Sequence, residues 1–267
     1  DKDLLFHISL IPFLYFGKVT GAKFATLLLV FITAIVLALM LSSAGLRNNY
    51  FLTLSFILFS GGAIFPGRLV LCRPHLLSLI FLMISLFCVF RNYRLLLMIT
   101  AYFYTLGYSG GWQILPVVMI FDFFRYKYSQ DKIRVKNLLT LWALGGVIAG
   151  FIINPYFPSN IVHTYVQTIL VLKAKWLGTG TDKIIQASEL SSITFNKLLT
   201  GFLLLFSSLG WTSFLEFKNR EEFRGDWKLC GLFVLSYAYL FPTLLSMRFS
   251  EYFVPICSSF LVLYWTR

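Results

Sequence analysis

Runs of roughly 15 to 22 apolar residues recur along this chain, and at a rise of 1.5 Å per residue helices of that length approach or match a hydrocarbon core about 30 Å thick. The alternation that a membrane barrel strand needs is absent, which leaves helices as the structure able to satisfy its own backbone in lipid. Composition agrees. Of 267 residues 58% are hydrophobic and 13% charged, with a mean hydropathy of +0.78, too little polar surface to cover a soluble globule.

The apolar segments run in this order. Leu4 to Phe16 is interrupted by His7 and Pro12 and reads as a helix lying at the interface. Gly21 to Ser42, Tyr50 to Phe65 and His75 to Phe90 follow as spans. Leu95 to Tyr108 and Trp112 to Phe124 are short pieces broken by a glycine turn, either a hairpin or two half-helices meeting at a cavity. After Leu138 to Ile153 comes the long connection 154–197, and Leu198 to Leu215, Leu229 to Ser246 and Glu251 to Trp265 close the chain. The expected fold is all-α, a polytopic transmembrane bundle of about eight or nine membrane segments plus interfacial helices. It forms one integral-membrane domain over 1–267, with 1–20 as an outer loop and interfacial helix and 154–197 as an outer-face loop.

Orientation follows from the cations in alternate connections. One set carries thirteen Lys and Arg, from Arg47 through Arg91 and Arg94 to Arg267, and the other carries nine over more residues. The denser set marks the cytoplasmic side. The net charge of +12 is thereby explained by helix anchoring at an anionic leaflet, and no nucleic acid partner is needed. Cys72, Cys88, Cys230 and Cys257 are scattered singly and read as packing residues. The first residue is Asp rather than Met, so a segment upstream is expected.

The same threading gathers the polar residues on the opposite, outer face. Arg68, Arg73 and His75 flank Pro74 at the start of a helix, where guanidinium groups fit a phosphate clamp and equally fit headgroup anchors. Arg248 and Glu251 stand three apart, the spacing of a pair on one helical face, either tying two helices or holding Arg248 toward a cavity. Asp1 and Asp3 place two carboxylates at the head of the chain. A carboxylate there fits a general base, a ligand to a divalent cation beside a substrate phosphate, or a solvated helix cap. Metal-ligand spacing is absent, so no metal site and no cofactor is assigned, a divalent cation being compatible with the Asp pair. His7, Tyr108, Trp112, Gln113, Asn154, Tyr156 and His163 complete the outer-face group as candidate sugar or lipid contacts. Interfacial aromatic belts and a proline turn in NPYFPSN account for several of them without a ligand.

Five strings, DKDLLFH at 1–7, RPHLLSLIF at 73–81, YSGGWQ at 108–113, NPYFPSN at 154–160 and RFSEYFVP at 248–255, carry a resemblance that lies in their arrangement. Together they resemble the GT-C superfamily of polytopic glycosyltransferases, which use polyprenyl-phosphate-linked sugars, and come nearest to bacterial members whose activity is not assigned. The resemblance implies that Asp1 or Asp3 corresponds to the family's first-loop acid, with a spanning helix expected before it. It also implies a place in the bacterial inner membrane with the site on the extracytoplasmic face. The reaction implied is inverting transfer from a polyprenyl phosphate to an acceptor hydroxyl, with Arg73 and Arg248 stabilising the departing phosphate. A transporter or flippase of a lipid-linked or anionic solute remains a competing reading, although Asp122 is almost the sole acid within the spans. A non-catalytic membrane subunit is another; it requires Asp1 and Asp3 to be replaceable.

Overall fold

The computed structural model describes residues 3–47, 50–128, 138–170, 173, 195–218 and 226–266. Every regular element among them is helical. In chain order they are α1 (Leu4–Leu10), which continues as a 3-10 turn over Ile11–Phe16, α2 (Lys18–Ala44), α3 (Tyr50–Ser60), α4 (Ile64–Leu69), α5 (Pro74–Arg91) and α6 (Arg94–Gly107). There follow α7 (Ile114–Tyr128), α8 (Leu139–Ile153), α9 (Ser159–Thr164) with a π-helical turn Tyr165–Leu170, α10 (Phe195–Lys218), α11 (Trp227–Leu245) and α12 (Ser250–Trp265).

Among the described residues α2, α5 and α11 are long and apolar enough to cross a membrane by themselves, while Leu4–Phe16, α3, α6 and α8 are shorter apolar helices. The 14 residues of α6 reach only about 21 Å. The eight or nine segments expected from hydropathy thus resolve into a few full-length spans and several pieces too short to span alone. The outward faces suit lipid: along α2, Leu27, Phe31, Ile35 and Leu39 are exposed while Leu29, Met40 and Leu41 are buried. A stripe of that kind is unfavourable in water and ordinary in a bilayer. The chain is an integral membrane protein.

Its contacts cluster into two compact units. The first comprises Asp1–Ser43, Leu69–Asp122 and Ile133–Ile169; the second comprises Ala44–Arg68, Phe123–Lys132 and Leu170–Arg267.

In the first unit Pro74 opens α5 in its first turn, where a missing N–H costs nothing, and Asn92 ends it in the left-handed conformation at φ 58°. The chain then reverses, so that α6 lies antiparallel to α5 and the hydroxyls of Ser78 and Tyr104 meet at 2.8 Å. The most extensive helix pair is α6 with α8. Gly150 sits so close to α6 that a Cβ there would lie 2.7 Å from Thr105 Cβ, and one at Gly146 would lie 2.8 Å from Ala101 Cβ. Glycines four apart on α8 thus face small residues four apart on α6, the close approach typical of helices in lipid. The rising residue numbers on both helices make the pair parallel. Between them α7 returns the chain, and Asp122 at its far end accepts from the Thr140 N–H at 2.8 Å and from the Thr140 hydroxyl at 2.7 Å. One end of this unit therefore carries Arg91 and Arg94, and the other carries His75, Ser109, Gln113 and Asn154.

In the second unit α12 is buried along nearly all of its length and packs against α3, α10 and α11. Phe253 meets Phe202 and Phe206, and Phe260 meets Phe233, with ring centroids 5.3 to 6.2 Å apart. Ser258 and Ser60 share a hydrogen bond of 2.8 Å. A helix apolar on every side belongs in a core, which is where this one lies.

Candidate functional site

At the Ser109 end of the first unit, α1 returns against α6. Asp3 is 5% exposed, and its Oδ1 accepts the backbone N–H of Ser109 at 3.2 Å. Burial of a carboxylate is favourable only with such donors. Gln113 donates its side-chain amide to the Tyr104 hydroxyl, which also bonds Ser78, and the Tyr104 and Tyr108 rings stack at 6.4 Å. Tyr108 is itself buried, so its ring belongs to this network. The Trp112 indole N–H is buried with no hydrogen-bond partner among the described residues. His7 lies on the exposed side of α1 with its ring edge against Phe6.

Beside this network opens a cavity of about 460 Å³, within the range of small-molecule sites, walled by Thr105, Ser109, Phe151, Asn154, Tyr156, Asn160 and His163 among others. The sequence builds it simply. Asn154 precedes Pro155, which drives its backbone into the extended conformation and ends α8. Its Oδ1 then accepts the Tyr156 N–H at 3.0 Å in an Asx turn. Asn160 folds back, its Nδ2 donating to the Phe151 carbonyl at 3.0 Å and so satisfying one of the last carbonyls of α8. These two bonds set α9 across the end of α8 and bring His163 to the wall. His163 Nε2 is buried there without a partner among the described residues.

Asp3, Ser109, Asn154, Tyr156 and His163 are thus gathered at one end of the first unit, with Asp3 one hydrogen bond behind the cavity wall. Arg73 and His75 belong to the same unit. Arg73 is exposed at the N-cap of α5 and His75 is buried in its first turn, at the positive end of the helix dipole. Arg68, Arg248 and Glu251 belong to the second unit. There Glu251, 1% exposed, takes the guanidinium of Arg68 in a buried ion pair bridging 183 positions of sequence. Arg248 is half-buried on the 3-10 turn Met247–Phe249 between α11 and α12. Asp1 lies outside the described residues. Among the described residues no three of His, Cys, Asp and Glu stand close enough to hold a metal ion.

Sequence reasoning passed over Ser109, Asn160 and Thr105. The signals were present: NPYFPSN holds a second asparagine beyond the turn, and Gly146 and Gly150 mark the face of α8 that brings Thr105 to the cavity.

No protein-family profile and no curated protein matches the sequence. Solved structures do match in fold. The archaeal oligosaccharyltransferase AglB from Archaeoglobus fulgidus, determined with an inhibitory peptide and a dolichol-phosphate, superposes with a TM-score of 0.66 at 13% identity, over 98% of this chain and 41% of that one. A second structure of the Archaeoglobus fulgidus oligosaccharyltransferase, tethered to an acceptor peptide through a disulfide bond, gives 0.61 at 14% identity, over 98% and 40%. The chain spans about two-fifths of the length of these neighbours. At this identity the likeness is one of architecture: the chain shares the helical fold of part of these oligosaccharyltransferase structures.

Proposed function

We propose that this protein is a membrane glycosyltransferase that moves a sugar from a polyprenyl-phosphate donor to an acceptor hydroxyl at the extracytoplasmic face of a bacterial inner membrane. The observation that carries the reading is the buried Asp3 carboxylate, held by the Ser109 N–H one hydrogen bond behind the cavity wall. Fold likeness to an enzyme solved with a dolichol-phosphate supports a lipid-phosphate donor.

In this reaction Asp3, or Asp1 two positions earlier in the sequence, takes the proton of the acceptor hydroxyl. The oxygen attacks the anomeric carbon, and the bond from that carbon to the phosphate oxygen breaks with its electron pair passing to the lipid phosphate. Attack opposite the leaving group inverts the configuration. Arg73 and the N-terminus of α5 offset the charge on the departing phosphate, and His75 adds a hydrogen bond. In the second unit, Arg68 and Arg248 carry guanidinium groups suited to a phosphate, with Glu251 fixing that of Arg68.

The test is transfer from radiolabelled polyprenyl-phosphate sugars by the full chain in lipid nanodiscs. Asp3→Asn keeps an oxygen for the Ser109 N–H while removing the base, and it is expected to lower turnover by about 10²- to 10⁴-fold with the fold intact. Arg73→Ala and Arg248→Ala are expected to abolish transfer from inserted, folded protein. Undiminished turnover in Asp3→Asn, or in both arginine variants, removes the assignment.

A further inference from the structure

The cavity in the first unit carries a chemistry of its own. Among the described side chains that wall it, none is Asp, Glu, Lys or Arg. Its polar groups are hydroxyls, two amides and an imidazole, and Phe151 and Tyr156 add apolar surface. The amides are not equivalent. Both ends of the Asn160 amide are engaged, Nδ2 by the Phe151 carbonyl and Oδ1 by the Ile161 N–H at 3.0 Å. Asn154 uses only its oxygen, toward the Tyr156 N–H, which fixes the orientation of the amide and leaves its NH₂ as a donor. Thr105 donates its hydroxyl to the Ala101 carbonyl at 2.9 Å and so has lone pairs left to accept with.

His163 Nε2 is buried in the wall with no partner among the described residues, a cost that a hydroxyl reaching it would remove. An anion entering here would shed its water with no cation among the described wall residues to replace it. A ring bearing several hydroxyls on one edge and C–H groups on a face matches the donors, the acceptors and the half-exposed Tyr156 ring together.

We infer that this cavity is a subsite for an uncharged sugar ring, with Asn154 donating to one hydroxyl, His163 Nε2 bonded to another and the Tyr156 ring against the apolar face. The inference rests on the transferase reading and adds to it the class of sugar. Asn154 and His163 are then specificity-determining residues, distinct from the base and from the phosphate clamp.

The experiment is saturation-transfer NMR on the full chain in nanodiscs. The probes are methyl hexosides, the matching methyl hexuronides, and a hexosyl phosphate on a short prenyl chain. The hexoside is expected to bind and the hexuronide to bind at least tenfold more weakly. Asn154→Asp keeps the oxygen that makes the turn and replaces the donor, so it separates binding from folding. It and His163→Phe are expected to weaken hexoside binding about tenfold, the loss of roughly one hydrogen bond, with unchanged thermal unfolding. Displacement of the hexoside by the prenyl-phosphate sugar assigns the subsite to the donor; simultaneous binding of both assigns it to a sugar acceptor. Either result supports the subsite. Absence of hexoside binding, a preference for the hexuronide, or wild-type binding by Asn154→Asp and His163→Phe overturns it. Hexoside binding is expected to survive Asp3→Asn, so a protein that binds the sugar and transfers none defeats the transferase reading while leaving the subsite in place.

Discussion

Gly145 and Gly150 stand on the same helix and respond oppositely to a single methyl group. A Cβ at Gly145 would meet nothing nearer than the Met98 sulfur at 3.9 Å. One at Gly150 would lie 2.7 Å from Thr105 Cβ and 2.8 Å from the Tyr102 carbonyl oxygen. Carbon atoms prefer about 3.5 Å or more, so α6 and α8 must part locally by about 0.8 Å, enough to forfeit a quarter or more of the dispersion energy at that contact. Both substitutions gain about 1 kcal/mol from helix propensity, and that gain cancels in the comparison. What remains is the overpacking at Gly150, about 1 to 3 kcal/mol. Gly150→Ala is therefore expected to be less stable than Gly145→Ala by that amount in reversible unfolding from detergent micelles, followed by helical circular dichroism. Because Thr105 walls the cavity, Gly150→Ala should weaken hexoside binding as well. Equal stability of the two variants would refute the close packing argued for this helix pair.

The remaining predictions concern charge and capping. Glu251→Ala removes the carboxylate facing the buried Arg68 guanidinium and is expected to cost about 3 to 5 kcal/mol, whereas Arg68→Met with Glu251→Leu should recover most of that stability, as measured by the same unfolding assay. Recovery by the pair but not by either single change identifies the ion pair; equal loss in all three contradicts it. Asp226 caps α11, its Oδ1 accepting the backbone N–H groups of Lys228 at 2.8 Å and Leu229 at 3.3 Å, so Asp226→Ala should cost about 0.5 to 2 kcal/mol and expose the first amides of α11 to hydrogen exchange.

Local signals in the sequence carry far in this protein. Helix content, membrane residence and the break around Gly107 to Gly111 follow from hydropathy and glycine, because in lipid the backbone must bond within its own segment. Within the first unit, the contacts of α5, α6, α7 and α8 put Asp3, His75, Gln113 and Asn154 at one end and Arg91 and Arg94 at the other. Helix ends are legible as well where breakers stand: Ser109, Gly110 and Gly111 follow α6, and Asn154-Pro155 ends α8.

Pairing, by contrast, was decided by tertiary structure. Glu251 holds Arg68 from 183 positions away, because a helix spacing names only the neighbours on one helix, while packing brings a buried charge a donor from another. Likewise Ser109 acquires its partner only when α1 folds back onto the turn, and His163 reaches the cavity only because two asparagine amides set α9 across the end of α8. The sequence determined which segments enter lipid; the close approach of α6 and α8 and the return of α1 and α9 decided which polar atoms share a cavity, since those contacts join residues far apart in the chain.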